Sequence, residues 1–201
     1  KKDWGFCASY KQVNQIKKKY KNNDKFKVEI KSSFKEKGVL NYGEIFIKGK
    51  TKKEILISTY ICHPSMANNE LSGPLVSTAI YNYFKNKKNK YSIRFVFIPE
   101  TIGSISYINK NLKKLKKNVV AGFNLTCIGD DRSYSFLPTK YDSISNYAAK
   151  KAFKDLKIKF KEYSFLSRGS DERQYNSPDV DLPIASIMRT KYGEYKEYHT
   201  S

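Results

Sequence analysis

The sequence predicts an α/β fold, a mainly parallel sheet flanked by helices. Three observations carry this. The runs Ile55–Ile61, Ser92–Ile98 and Val119–Thr126 are almost continuously apolar or β-prone, as strands covered on both faces are. Segments with helical spacing separate them, and strand–helix–strand alternation selects a parallel sheet. Each run also ends on polar residues, and function in such sheets collects at the carboxyl ends of strands.

Taken in order, residues 11–25 are rich in Lys and Asn, with Val13 and Ile16 at helical spacing, which predicts a short surface helix. Phe26–Ser32 alternates apolar and polar residues, and Val39–Gly49 reads as another strand closed by glycine. Residues 26–51 are therefore expected to form a small antiparallel β-insertion. The α/β domain proper is expected over 1–25 and 52–201. Residues 72–85 predict a helix with Pro74 in its first turn and Leu75, Ala79, Ile80 and Tyr83 on its inner face. Residues 102–115 predict the next helix, with Ile105, Ile108, Leu112 and Leu115 on one side. A helix at 143–155 and a strand at Leu182–Met188 complete the pattern.

Composition narrows the function. The chain has 201 residues, 39% hydrophobic and 14% aromatic, enough for one folded domain with a real core. No apolar run approaches the ~18 residues of a membrane span. No signal-peptide pattern opens the chain, so a cytoplasmic location is expected. Cys7, Cys62 and Cys127 are too few and too odd for a disulfide framework, and reduced thiols are expected. The net charge of +20 is overwhelmingly lysine, Arg94, Arg132, Arg168, Arg173 and Arg189 being the only arginines. Phosphate and base readout favours arginine, and no recognition helix or zinc-finger spacing occurs. The lysines are expected to form a solvated face, not a specific nucleic-acid surface.

Candidate chemistry sits at the strand ends. His63 follows the first buried strand, Pro99-Glu100-Thr101 the second, and Asn124–Cys127 with Gly129-Asp130-Asp131 the third. Further along lie Arg168–Arg173, containing Asp171, and Glu194–Ser201, containing His199. In a parallel sheet these loops converge on one rim. Histidine nitrogens and carboxylate oxygens are the usual ligands of catalytic zinc, and a nearby carboxylate serves as general base. His63 as a hydrogen-bonded structural histidine, Glu100 as a helix cap, Asp171 as an ion-pair partner and His199 as a solvent-exposed residue near a chain end are the competing readings. No HExxH, Walker A or GxGxxG pattern is present.

The order strand–His–loop–Leu-Ser-Gly–helix, strand–Pro-Glu–helix, Ser-Asp and Tyr-His-Thr resembles the zinc-dependent aminopeptidases. The phrases Asp3–Cys7, Ile61–Ser65, Leu71–Gly73, Pro99–Ser104, Gly169–Gln174 and Met188–Tyr195 are similar, more closely, to the bacterial aminopeptidase-like proteins often encoded with surface-polysaccharide biosynthesis genes. Those proteins are longer, so the chain is expected to be their middle portion, with flanking N- and C-terminal regions absent. The resemblance implies a zinc-exopeptidase fold and a metal site. His63 and His199 match zinc ligands, Asp171 matches a ligand or orienting position, and Glu100 falls where the peptidases carry a Glu-Glu pair. Asn69 occupies the place of the aspartate that bridges two zincs, and Thr126 that of a further ligand aspartate. A neutral amide is poorly suited to bridging two dications, so one zinc is expected, with Glu70 or Asp130 as substitute carboxylates. The implied activity is hydrolysis of a terminal amide in a peptide or aminoacyl-type substrate, with Glu100 as base. The alternative is a catalytically silent scaffold or binding protein linked to glycan biosynthesis.

Overall fold

The computed structural model describes residues 8–63 and 66–199. Seven strands form one mixed sheet: β1 (Gly43–Ile47), β2 (Glu54–Tyr60), β3 (Ser92–Ile98), β4 (Val119–Leu125), β5 (Ser135–Leu137), β6 (Lys161–Glu162) and β7 (Ile184–Met188). Their spatial order is β1-β3-β2-β4-β7-β5-β6. The central strands β3, β2, β4 and β7 are parallel, while β1 and β5 join antiparallel to β3 and β7. The helices are α1 (Tyr10–Lys19), α2 (Ser72–Phe84), α3 (Ile102–Asn118), α4 (Ile144–Asp155) and the short α5 (Asp171–Tyr175).

Alternation along the strands divides the core. Leu56, Val96, Ile98 and Ile184 face Tyr107, Ile108 and Leu115 of α3 and Tyr175 of α5. Ile57, Ile93, Phe95 and Leu125 face the other way, against Val76, Ile80, Tyr81 and Phe84 of α2. Phe136 and Ala185 close that side against Ala149 and Phe153 of α4. Both faces of the central strands are thus covered, which explains their continuous apolar runs.

The buried face of α2 differs from the expected one: Leu75, Ala79 and Tyr83 point to solvent. On α3 Ile108, Leu112 and Leu115 face the core as expected, and Ile105 is exposed. The rotation of α2 is set by Gly73, whose α-carbon is pressed against the sheet. A β-carbon there would lie 2.2 Å from Thr59 Oγ1 and 2.4 Å from the Leu125 carbonyl oxygen. With Gly73 inward, Val76, Ser77, Ile80 and Phe84 follow at helical spacing. Gly73→Ala is therefore expected to cost about 1–3 kcal/mol by forcing α2 off the sheet. A denaturation midpoint unchanged by this substitution would contradict the close approach.

The strand expected at Phe26–Ser32 is not formed: residues 20–42 carry no regular element and Phe26, Val28 and Ile30 are exposed. Alternation alone does not make a strand where no partner edge or covering layer is present. The strand expected within Val39–Gly49 is β1, an edge strand of the main sheet. The surface helix α1 is closed by a capping box between Ser9 and Gln12 and ends in Lys17–Lys19.

At the amino end of the strands lies a buried charge cluster. Arg94 donates from Nε and Nη2 to the two carboxylate oxygens of Glu54, at 2.7 and 3.0 Å, and from Nη1 to Glu44 at 2.6 Å. The Tyr107 hydroxyl donates to the second oxygen of Glu44.

Candidate metal centre

Because β2, β3 and β4 are parallel, their carboxyl ends share one rim. β2 runs into Cys62 and His63, β3 into Pro99 and Glu100, and β4 into Thr126 and Cys127. The connection through α2 carries the chain from β2 to its neighbour β3. The connection through α3 carries it back past β2 to β4 on the opposite face. This reversal makes a topological switch point between β2 and β4, the place where ligands of open α/β sheets bind.

Residues 67–71 form a π-helical turn before α2. Such widened turns recur at functional sites. Here the turn buries two successive side chains, Asn69 and Glu70. Glu70 Oε1 lies 2.7 Å from His63 Nδ1 and accepts from Asn69 Nδ2 at 2.9 Å, and Oε2 accepts from the Cys62 backbone N–H at 3.1 Å. The carboxylate facing His63 is therefore Glu70. Asn69 is engaged at both ends of its amide, its Oδ1 accepting from the Cys127 thiol at 3.4 Å.

Cys62 Sγ stands 3.2 Å from His63 Nδ1. One ligand atom each from Cys62, His63 and Glu100 lie within 4.8 Å of one another. Sulfur, nitrogen and oxygen donors at this spacing suit a zinc ion, so the residues fit the metal the resemblance implies. Burial pushes the Cys62 thiol up to about 11; the Glu100 backbone N–H pulls it back, and the Glu70, Glu100 and Asp171 charges add to the rise.

Glu100 is held in place by its surroundings. Ser170 Oγ donates to Glu100 Oε1 at 2.6 Å. The next residue, Thr101, has φ 61° and ψ −69°, and the Ile102 N–H bonds back to the Glu100 carbonyl at 2.7 Å. That is a γ-turn of the rare, strained hand, on a β-branched residue. Asp171 braces it: its Oδ1 accepts from the Thr101 N–H at 2.7 Å and the Ser104 hydroxyl at 2.9 Å. Asp171 thus lies behind the Glu100 turn, and its Oδ2 is buried with no hydrogen-bond partner among the described residues.

Burial drives the Asp171 carboxyl up to about 7; the bonds from Thr101 and Ser104 oppose the rise, and the Glu100 and Glu172 charges add to it. The folded state therefore favours the protonated form. Stability from this residue is full below its ordinary pKa near 4 and falls as pH rises to about 7. Metal-free full-length protein should lose stability relative to Asp171→Asn over that window, with a constant difference above it. A difference that does not vary between these pH values would contradict the burial of an ionising Asp171.

The His199 ring faces that of His63, centroids 6.1 Å apart, and stacks on Tyr198 at 3.9 Å. His199 also borders a cleft of ≈ 240 Å³ lined by Met66, Asn69, Arg132, Tyr195 and Glu197 among others. The structure thus gathers His63, Glu100 and His199 on one rim, with Asn69 and Asp171 in the layer behind. Thr126 is spent on hydrogen bonds to the Tyr60 hydroxyl and the Asn69 carbonyl. Asp130 accepts from Asn68, Arg132 and Thr190. Burial pushes its carboxyl up, but the bonds from Thr190, Arg132 and Asn68 hold it below the ordinary value. Its oxygens are thus spent on tying these loops together. Cys62 and Ser170 were not expected at the site; the adjacency of a thiol to His63 after a strand was the signal for the first. Cys7 and the flanking residues 64, 65, 200 and 201 lie outside the described residues.

Comparisons with known proteins agree with this architecture. A family model described as "Domain of unknown function (DUF4910)" matches residues 3–201. The whole chain is 40% identical, over 202 residues, to a Clostridium acetobutylicum protein named as a polysaccharide biosynthesis protein with aminopeptidase-like domain, and spans 45% of it. A crystal structure described as a peptidase from the same organism is 42% identical with a TM-score of 0.76, covering 80% of this chain and 38% of that one. The zinc aminopeptidase BSAP of Bacillus subtilis shares the fold at 16% identity, with a TM-score of 0.65 over 79% of this chain and 42% of that one. The chain therefore has an aminopeptidase-like fold and spans less than half the length of the relatives from Clostridium.

Proposed function

The chain belongs to the DUF4910 family, and from its site we propose that it carries the centre of a single-zinc, aminopeptidase-like hydrolase. The observation that carries this reading is the meeting of His63 and Glu70 at the carboxyl rim of the sheet, Nδ1 2.7 Å from Oε1, with a Glu100 oxygen within 4.8 Å of the same histidine. The metal would be held by His63 and Glu70, with His199 facing them. Bound zinc supplies Lewis acidity and a water of lowered pKa. Glu100 accepts the proton of the attacking water: Ser170 occupies its Oε1, leaving Oε2 for the transfer. The Asp171-braced turn fixes that carboxylate, and the cleft beside His199, lined by Tyr195, Asn68 and Asn69 among others, receives the substrate, a terminal amide of peptide or aminoacyl type. The name of the Clostridium relative supports a setting in polysaccharide biosynthesis.

A second reading has its own support. Asn69 and Thr126, at the two positions where the aminopeptidases carry acidic ligands, are neutral and internally hydrogen-bonded. That favours a silent aminopeptidase-like scaffold. Full-length protein assayed on aminoacyl-nitroanilides separates the two. The enzyme reading predicts release that a chelator abolishes and zinc restores. No release from metal-loaded protein, across a panel of aminoacyl groups, would leave the scaffold.

A further inference from the structure

We propose that Cys62 is itself a metal ligand, its sulfur joining His63 Nδ1 and a Glu70 carboxylate oxygen on one ion, with Glu100 facing that ion as base. The inference rests on the metal reading above and deepens it by naming the donor that replaces the missing carboxylates.

The distances fit. Ligand atoms about 2.0–2.3 Å from one tetrahedral ion stand roughly 3.3–3.8 Å from each other. Cys62 Sγ lies 3.2 Å from His63 Nδ1 and 3.8 and 3.9 Å from the two Glu70 oxygens. The shorter His63–Glu70 separation, 2.7 Å, is a direct hydrogen bond that a shared ion would replace. The sulfur is also oriented from behind. The Glu100 backbone N–H points at it from 3.3 Å, and Glu70 Oε2 takes the N–H of Cys62 itself. Such supports are what hold a ligand in place.

Charge points the same way. With Asn69 and Thr126 neutral, a thiolate and a carboxylate together offset a dication. Binding releases the thiol proton to solvent. A purely structural thiol has a different setting in this fold. Cys127 is fully buried among Leu137, Met188 and Tyr195, whereas Cys62 is only half-buried and joins no apolar cluster among the described residues. A sulfur-containing donor set selects zinc, and cadmium as its probe, over magnesium or manganese.

The test is titration of cadmium and cobalt(II) into metal-free full-length protein, reading stoichiometry by dialysis and sulfur-to-metal charge transfer in the near ultraviolet. One ion per chain with a charge-transfer band is expected. Cys62→Ser should lose the band and bind more than about 10-fold more weakly. Cys62→Asp should keep stoichiometric binding without the band. Circular dichroism of each variant confirms that it is folded. Stoichiometric binding with no band, or a band that survives Cys62→Ser, overturns the role of Cys62 while the metal site stands. Failure of wild-type protein to bind either ion overturns both.

Discussion

Arg94→Ala should destabilise the protein by about 3–5 kcal/mol. Arg94 is 3% exposed, and Glu54, which its fork holds at both oxygens, is as deeply buried. Removing the guanidinium leaves that carboxylate uncompensated in a medium that solvates it poorly. Glu44, whose side chain is about a third exposed, regains water and contributes less. Arg94→Lys restores a charge but not the bidentate geometry, and should recover only part of the loss. Simultaneous replacement of Arg94 and Glu54 by apolar residues of similar volume should cost much less than the single change. The cluster sits at the amino end of the strands, far from His63, so the metal affinity of the variant that remains folded should be unchanged. Denaturant melts measure this directly; a loss below about 1 kcal/mol for Arg94→Ala would contradict it.

Glu100→Gln should lower kcat for aminoacyl-nitroanilide hydrolysis by about 10²- to 10⁴-fold, the range for loss of a positioned general base. The amide keeps a hydrogen bond with Ser170 and fits the same turn, so KM and zinc content should stay close to wild type. The structural reason is the effort spent on this one side chain. A strained γ-turn at Thr101, the Asp171 brace and the Ser170 hydroxyl all fix Glu100. Equal kcat for wild type and Glu100→Gln would assign the base elsewhere. Loss of zinc together with activity would make Glu100 a ligand.

Much of the fold could be read from the sequence because the buried strands are long and apolar on both faces. Ser92–Ile98 and Glu54–Tyr60 fall where the runs of Ile, Phe and Val predict them. The short elements were not legible. β5 has three residues, β6 two and α5 five, too few to express a period. The inner face of α2 is not legible either, since the deciding contact is Gly73, which has no side chain to mark it. At the site, His63, Glu100 and His199 were readable as polar residues at strand ends and near the chain end. The π-helical turn was not, and it determines that Glu70, one residue past Asn69, faces His63. Cys62 stands next to His63 in the sequence, but a free cysteine ordinarily packs in a core; its 3.2 Å approach to the His63 ring sets it apart.

Zinc content tests the central claim most directly. Full-length protein purified without chelator, measured by elemental analysis, should carry one zinc per chain. His63→Ala, folded by circular dichroism, should carry almost none. Metal-free wild-type protein that takes up no zinc, or a His63→Ala variant that retains it in full, would contradict a metal centre at this rim.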